Sequence, residues 1–208
     1  MITNQSSKFI VAITQRVDYI EDRSEFRDAL DQRLSLWVRQ AGFLPVAVTN
    51  MFLSNDCSST EALGDWLQTI QPNAVLLSGG NDVGEHPARD ATECYLLSWA
   101  EKNLVPVLGI CRGMQMMGVW AGARLKKTKG HVCTRHILQG QVDGEVNSYH
   151  DFSLLSCPPG FEVLARSEDG EIEAMRHTVL PWEGWMWHPE REATFQPRDI
   201  LRLQRVFI

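Results

Sequence analysis

The sequence predicts an α/β fold, with a mostly parallel central sheet flanked by helices and a small antiparallel extension. Three observations carry this. Short apolar runs alternate with segments of helical periodicity. The runs are apolar throughout, as in strands buried on both faces of a parallel sheet. From about Gly140 the texture changes to short strands with few helices between them.

The elements follow in order. "KFIVAIT" (Lys8 to Thr14) reads as a buried strand. Ser24 is placed to cap a helix whose apolar stripe is Phe26, Leu30, Leu34, Trp37 and Ala41, ended by Gly42. "FLPVAV" (Phe43 to Val48) is a second strand, "TEALGDWLQTI" a helix and "AVLLSGG" (Ala74 to Gly80) a third strand. The helix "TECYLLSWAEKN" leads to a fourth strand, "LVPVLGI" (Leu104 to Ile110), which runs into the helix "RGMQMMGVWAG". "EVNSYHDFSL", "FEVLARS", "EIEAMRH" and "GWMWH" are strands that either extend the sheet or form an antiparallel layer beside it. "QPRDILRLQRVF" closes the chain as a helix with Pro197 in its first turn. No linker or repeat divides the 208 residues, so 1–208 is expected to be a single catalytic domain.

Bulk properties narrow the function. A formal net charge of −6 argues against nucleic acid or an anionic membrane as partner. No apolar run is long enough to span a bilayer, and "MITNQSSKF" lacks a signal-like h-region. The five cysteines, Cys57, Cys94, Cys111, Cys133 and Cys157, are odd in number and widely spaced. They read as reduced thiols, and the expected compartment is the cytoplasm. Most of the seven tryptophans read as packing residues.

Three clusters fall at strand ends, where open α/β sheets bind ligands. In Gly109-Ile110-Cys111-Arg112-Gly113 the cysteine occupies a tight strand-to-helix turn. Such a turn strains and exposes its central residue, and the helix N-terminus favours a thiolate. A buried structural cysteine is the usual reading of a lone Cys, but the glycine-flanked turn favours a nucleophile. In "WMWHPE" (Trp185 to Glu190), strand alternation would put Met186, His188 and Glu190 on one face and both tryptophans on the other. His188 and Glu190 then make a base and its orienting carboxylate, and with Cys111 a catalytic triad. An isolated His-x-Glu is more often a surface pair, so this reading leans on Cys111. In "LSGGNDV" (Leu77 to Val83), glycine backbone N–H groups could supply half an oxyanion hole, the Arg112 N–H being the other half.

On "GICRGMQ", "SGGND" and "HPE", in that order and spacing, the chain resembles the class I glutamine amidotransferases, a flavodoxin-like fold. The resemblance implies Cys111 as nucleophile, His188 as base, Glu190 as its partner, and the N–H groups of Gly80 and Arg112 as oxyanion hole. It also implies that Gln115 and the segment Tyr149, His150, Asp151 and Phe152, within "NSYHDF", hold the α-amino-acid end of the substrate. Arg89-Asp90-Ala91-Thr92-Glu93 matches the "RDxxE" of the stand-alone γ-glutamyl hydrolases. "ITQR", "IEAMRH" and "WMWHPERE" are further similar to the γ-glutamyl-CDP-amidate hydrolases of bacterial surface-polysaccharide phosphoramidate synthesis. The resemblance implies a small-molecule γ-glutamyl substrate, cleaved through a γ-glutamyl thioester. A glutaminase subunit serving a partner synthetase is the alternative, and a homodimer is left open.

The chain departs from the broader hydrolases in "AGARLKKTKGHVCTRH". Arg124, Lys126, Lys127, Lys129, His131, Arg135 and His136 read either as a solvated loop or as a cationic lip for a phosphate-bearing leaving group. His131, Cys133 and His136 suggest a metal, but no fourth ligand lies near them in sequence, so neither metal nor cofactor is expected.

Overall fold

The computed structural model describes residues 8–50 and 60–208. Cys57 lies outside the described residues, as does most of the N-terminal stretch. The parallel half of the sheet contains β1 (Ile10–Ile13), β4 (Leu44–Ala47), β5 (Ala74–Leu77), β6 (Val107–Ile110) and β13 (Trp182–Trp185). The later strands extend this sheet instead of layering on it. They are β8 (Val132–Gly140), β9 (Gly144–Tyr149), β11 (Phe161–Arg166) and β12 (Ile172–His177). The nine strands lie in the order β4-β1-β5-β6-β13-β12-β11-β8-β9, parallel as far as β13 and antiparallel beyond it. β7 (Leu125–Lys127) and β10 (Phe152–Leu154) form a separate ribbon.

Apolar side chains on both faces of the parallel strands explain the layering. Val11, Ile13, Leu76, Leu108 and Ile110 pack under α1 (Gln32–Gln40) and α5 (Pro197–Phe207). Ala12, Val75, Leu77 and Val107 pack under α2 (Thr60–Ile70), α3 (Pro87–Asn103) and α4 (Arg112–Trp120). Trp37, Trp182, Trp185 and Trp187 are fully buried, as packing residues should be.

The sequence reading starts the first helix too early. Ser24 caps no α-helix; it takes a left-handed φ of 49° in the turn joining β2 (Arg16–Ile20) to β3 (Glu25–Ala29). The hairpin pairs Tyr19 with Phe26, whose rings sit 4.8 Å apart, a cross-strand aromatic contact that outweighs the helical spacing of Phe26 and Leu30. Asp31 is the actual cap, its carboxylate accepting from the Arg33 N–H at 2.8 Å. The third helix likewise begins at Pro87 and not Thr92, which brings Arg89 and Glu93 onto one helical face.

Candidate active site

β6 delivers Cys111 to the start of α4 with φ 51°, a conformation costly for any side-chain-bearing residue. The turn is possible because of the flanking glycines. A Cβ on Gly109 would meet the Gly113 backbone at 2.6 Å, and one on Gly113 would lie 2.1 Å from the Leu77 carbonyl oxygen. The Cys111 N–H is tied to the Trp185 carbonyl at 2.6 Å, locking the turn to β13.

β13 also leads to His188. Strand alternation holds as far as Trp187, where Trp185 and Trp187 stack with centroids 5.2 Å apart. The strand itself ends at Trp185, and Pro189–Arg191 form a 3-10 turn. His188 and Glu190 therefore meet across this turn and not along a strand face, because Pro189 offers no N–H to a ladder. His188 Nδ1 lies 2.6 Å from Glu190 Oε1. The ring donates Nδ1–H to the carboxylate and keeps Nε2 for Cys111. Burial alone would lower the imidazole pKa. The charges of Glu190 and Cys111, with their hydrogen bonds, outweigh it and push the group up to about 9.

Two residues hold this turn that sequence reasoning missed. Asn147 accepts from the His188 N–H at 2.9 Å and donates to the His188 carbonyl at 2.8 Å. Arg33 donates to the Glu190 carbonyl at 2.8 Å. Asn147 lies within "NSYHDF"; only its side-chain role was hidden.

The glycine loop after β5 is organised by Arg89, which is completely buried. Its guanidinium donates to the carbonyls of Ser78 (2.8 Å), Gly79 (3.0 Å) and Gly80. In a trans peptide the N–H opposes the preceding carbonyl. Since the Gly79 carbonyl faces Arg89, the Gly80 N–H faces away from it, and Gly80 lines the cleft. Gly79 must lack a Cβ, which would come within 2.5 Å of His188 Cε1. Glu93 binds Arg89 at 3.1 Å, accepts from Thr14 Oγ1 at 2.9 Å and pairs with Arg112, which also pairs with Asp90. The RDxxE segment is thus a buried ionic frame joining the glycine loop to the cysteine turn. It also uses the Arg112 side chain, leaving its backbone N–H at the helix start for the cleft.

Gly80, Cys111, Arg112, Gln115, Tyr149, His150, Asp151 and His188 line one cleft of about 230 Å³. Phe152 does not line it; its carbonyl instead accepts from Gln115 Nε2 at 2.8 Å. Asp82, Glu85 and Arg191 also line it; Asp82 lies within "SGGND" and Arg191 within "WMWHPERE", but the sequence reading gives neither a role in the site, and Glu85 lies outside the motifs. Burial, then Glu85 and Asp151, raise the Asp82 carboxyl above its ordinary range. Arg191 stacks over Tyr149 at 4.7 Å. The basic run is not in this lining: Lys126 pairs with Glu171, and Arg135 pairs with Glu145 and Glu192. Among the described residues no helix is long and apolar enough to cross a membrane.

The chain is similar to several known proteins. The chain is 30% identical over 135 residues to a γ-glutamyl-CDP-amidate hydrolase of Campylobacter jejuni, covering 62% of this chain and 68% of that one. It is 28% identical over 148 residues to a glutamine-hydrolyzing GMP synthase subunit of Thermococcus kodakarensis, covering 65% and 76%. A crystal structure from Thermoplasma acidophilum, of a protein proposed as a GMP synthase subunit, superposes with a TM-score of 0.69. It is 21% identical and covers 96% of this chain and 92% of that one. Residues 27–206 match the glutamine amidotransferase class-I family, and the chain belongs to that family.

Proposed function

We propose that the protein hydrolyses a γ-glutamyl amide bond through a Cys111 thioester, releasing glutamate and an amine or phosphoramidate. The observation that carries this is the pairing of a strained Cys111 with the His188–Glu190 hydrogen bond at one cleft. Cys111 attacks the γ-carbonyl. The Gly80 and Arg112 N–H groups receive the oxyanion. Protonated His188 gives its proton to the leaving nitrogen, then activates water to cleave the thioester.

Charge complementarity suggests how the substrate sits. Asp82, Glu85 and Asp151 favour the α-ammonium of the γ-glutamyl unit, with Gln115 and the 149–152 segment around it. Arg191 is then the cation that serves an anionic leaving group, a role that one of the two sequence readings gives to the lysine run. Likeness to the γ-glutamyl-CDP-amidate hydrolase supports a phosphoramidate as that group.

A substrate panel on the isolated protein tests the reading: glutamine, γ-glutamyl amines and γ-glutamyl-CDP-amidate. The hydrolase reading expects faster turnover of a bulky, anionic amide than of glutamine. A glutamine-like alkylating agent should label Cys111 ahead of Cys57, Cys94, Cys133 and Cys157. Even labelling of all five would remove the basis of the assignment. The second reading, a glutaminase that feeds ammonia to a separate synthetase, is favoured by likeness to the glutamine-hydrolyzing GMP synthase subunit. It gains the ground if glutamine is preferred or activity waits on an added synthetase.

A further inference from the structure

We infer that His131, His136, His150 and Glu173 form a buried zinc-class metal site. One potential ligand atom from each lies within 4.8 Å of all the others. The sequence reading found no fourth ligand because two of the four come from elsewhere: His150 follows β9 and Glu173 lies in β12. Cys133, the third member of the local cluster in sequence, is exposed and is not in the group.

The distances suit a tetrahedral ion. Metal–ligand bonds of about 2.0–2.1 Å give tetrahedral edges of about 3.3–3.4 Å. His131 Nδ1 and His150 Nε2 are 3.3 Å apart, and each lies 3.4 Å from Glu173 Oε1. These three atoms make one face of such a tetrahedron; the His136 ligand atom stands within 4.8 Å of them and would close in as the fourth corner.

The outer hydrogen bonds fix the rings for ligation. His150 presents Nδ1 to the Phe152 carbonyl at 3.0 Å, which leaves the Nε2 lone pair facing the cluster. His131 presents Nε2 to Asp169 at 2.9 Å, which leaves Nδ1 facing inward. Orienting partners of this kind accompany metal-bound histidines. The interior holds polar atoms without good hydrogen bonds. His136 Nε2 and both Glu173 carboxylate oxygens are buried without one, and Glu173 Oε1 has only the 3.4 Å ion-pair approaches of His131 and His150. A fully buried carboxylate needs a cation; His131 is paired with it without a metal, and an ion would take that place. Inward imidazole nitrogens favour a borderline ion over magnesium or calcium. With four protein ligands the site is closed, so its role is structural. It would tie β8, β12 and the segment after β9 together. His150 shares the Phe152 carbonyl with Gln115, so the same ion would steady one wall of the cleft.

The test uses zinc alone and does not depend on the Cys111 chemistry. The full chain, stripped with a chelator, is titrated with Zn2+ against a chromophoric indicator. One equivalent should bind with a submicromolar Kd and raise Tm. His136→Ala should weaken binding at least a hundredfold, and Glu173→Gln should weaken it too. Cobalt should give the intense visible bands of a four-coordinate site in the wild type and lose them in His136→Ala. Near-ultraviolet circular dichroism checks that the variants are folded; if His136→Ala is not, His136→Gln replaces it. No stoichiometric zinc, a weak six-coordinate cobalt spectrum, or unchanged affinity in a folded variant would each overturn the site.

Discussion

Gly113 sits so close to Leu77 that a Cβ on the glycine would lie 2.1 Å from the leucine carbonyl oxygen. The nucleophile turn is thus pressed directly against the strand that leads to the glycine loop. Gly113→Ala should cost about 3 kcal/mol or more, as overpacking against backbone that has little room to retreat. Denaturant melts of the variant check this, and a loss well below that figure would mean that the two segments can part.

Cys111 should behave differently. Cys111→Ala keeps the strained φ of 51° and removes the thiol, so turnover should vanish with Tm nearly unchanged. Cys111→Gly should also be inactive yet more stable than the alanine variant, because glycine relieves strain of roughly 1–3 kcal/mol at such a position. Thermal melts of the two variants check this; equal melts would mean that the turn is not strained.

Glu190 tunes the acid. In the proposed mechanism His188 is protonated when it releases the leaving nitrogen, so kcat/KM should fall as pH rises through about 9. Glu190→Gln removes a charge that raises the imidazole pKa, and the alkaline limb should move to lower pH. The variant should keep measurable activity, on the order of tenfold to a hundredfold more than His188→Ala. An alkaline limb that stays put in Glu190→Gln would detach it from His188.

Arg191, which also lies 3.8 Å from Glu190 Oε1, tests how the proposed substrate sits. Arg191→Gln should raise KM for a γ-glutamyl amide with an anionic leaving group several-fold and spare glutamine, and added salt should narrow the difference. An equal rise for both would place Arg191 against the shared γ-glutamyl end. Neutralising Lys126, Lys127 and Lys129 together should do less than Arg191→Gln, since none of them lines the cleft and Lys127 acts on the cleft residue Asp82 only through its charge.

Asp199 gives stability a pH dependence. Burial in the first turn of α5 pushes its carboxyl up to about 6. Between its unfolded value near 3.8 and about 6, the folded state holds more protons, so stability falls as pH rises through that window. Asp199→Asn lacks this loss. Denaturant melts should show little difference at pH 4 and a gain of at most about 3 kcal/mol for the variant above pH 7. A constant difference across pH would exclude Asp199 as the source.

Local chemistry made part of this site legible. Cys111 between glycines, and His188 two residues before Glu190, are short-range patterns, although the latter two meet across a 3-10 turn and not along the strand face that alternation suggests. What stayed hidden depends on distant contacts. Ser24 looked like a cap because the Tyr19–Phe26 pairing that overrides it is a tertiary feature of the hairpin. Asn147 gives no sequence sign that it holds the His188 backbone. The lysine run suggested a substrate lip by composition, and only the path of β7 and β8 shows it away from the cleft lining. Glu173 resembles an ordinary strand residue until three imidazoles are folded around it.

The position of β13 bears on how the molecule comes together. Made late in the chain, it pairs with β6 on one side and β12 on the other. Until it docks, the parallel and antiparallel halves of the sheet share no strand pairing, and His188 has no fixed relation to Cys111. Contacts between such distant segments form slowly, because loop-closure entropy must be lost before they are gained. Under the proposed mechanism the pairing of Cys111 with His188 is therefore complete only once β13 is seated between β6 and β12.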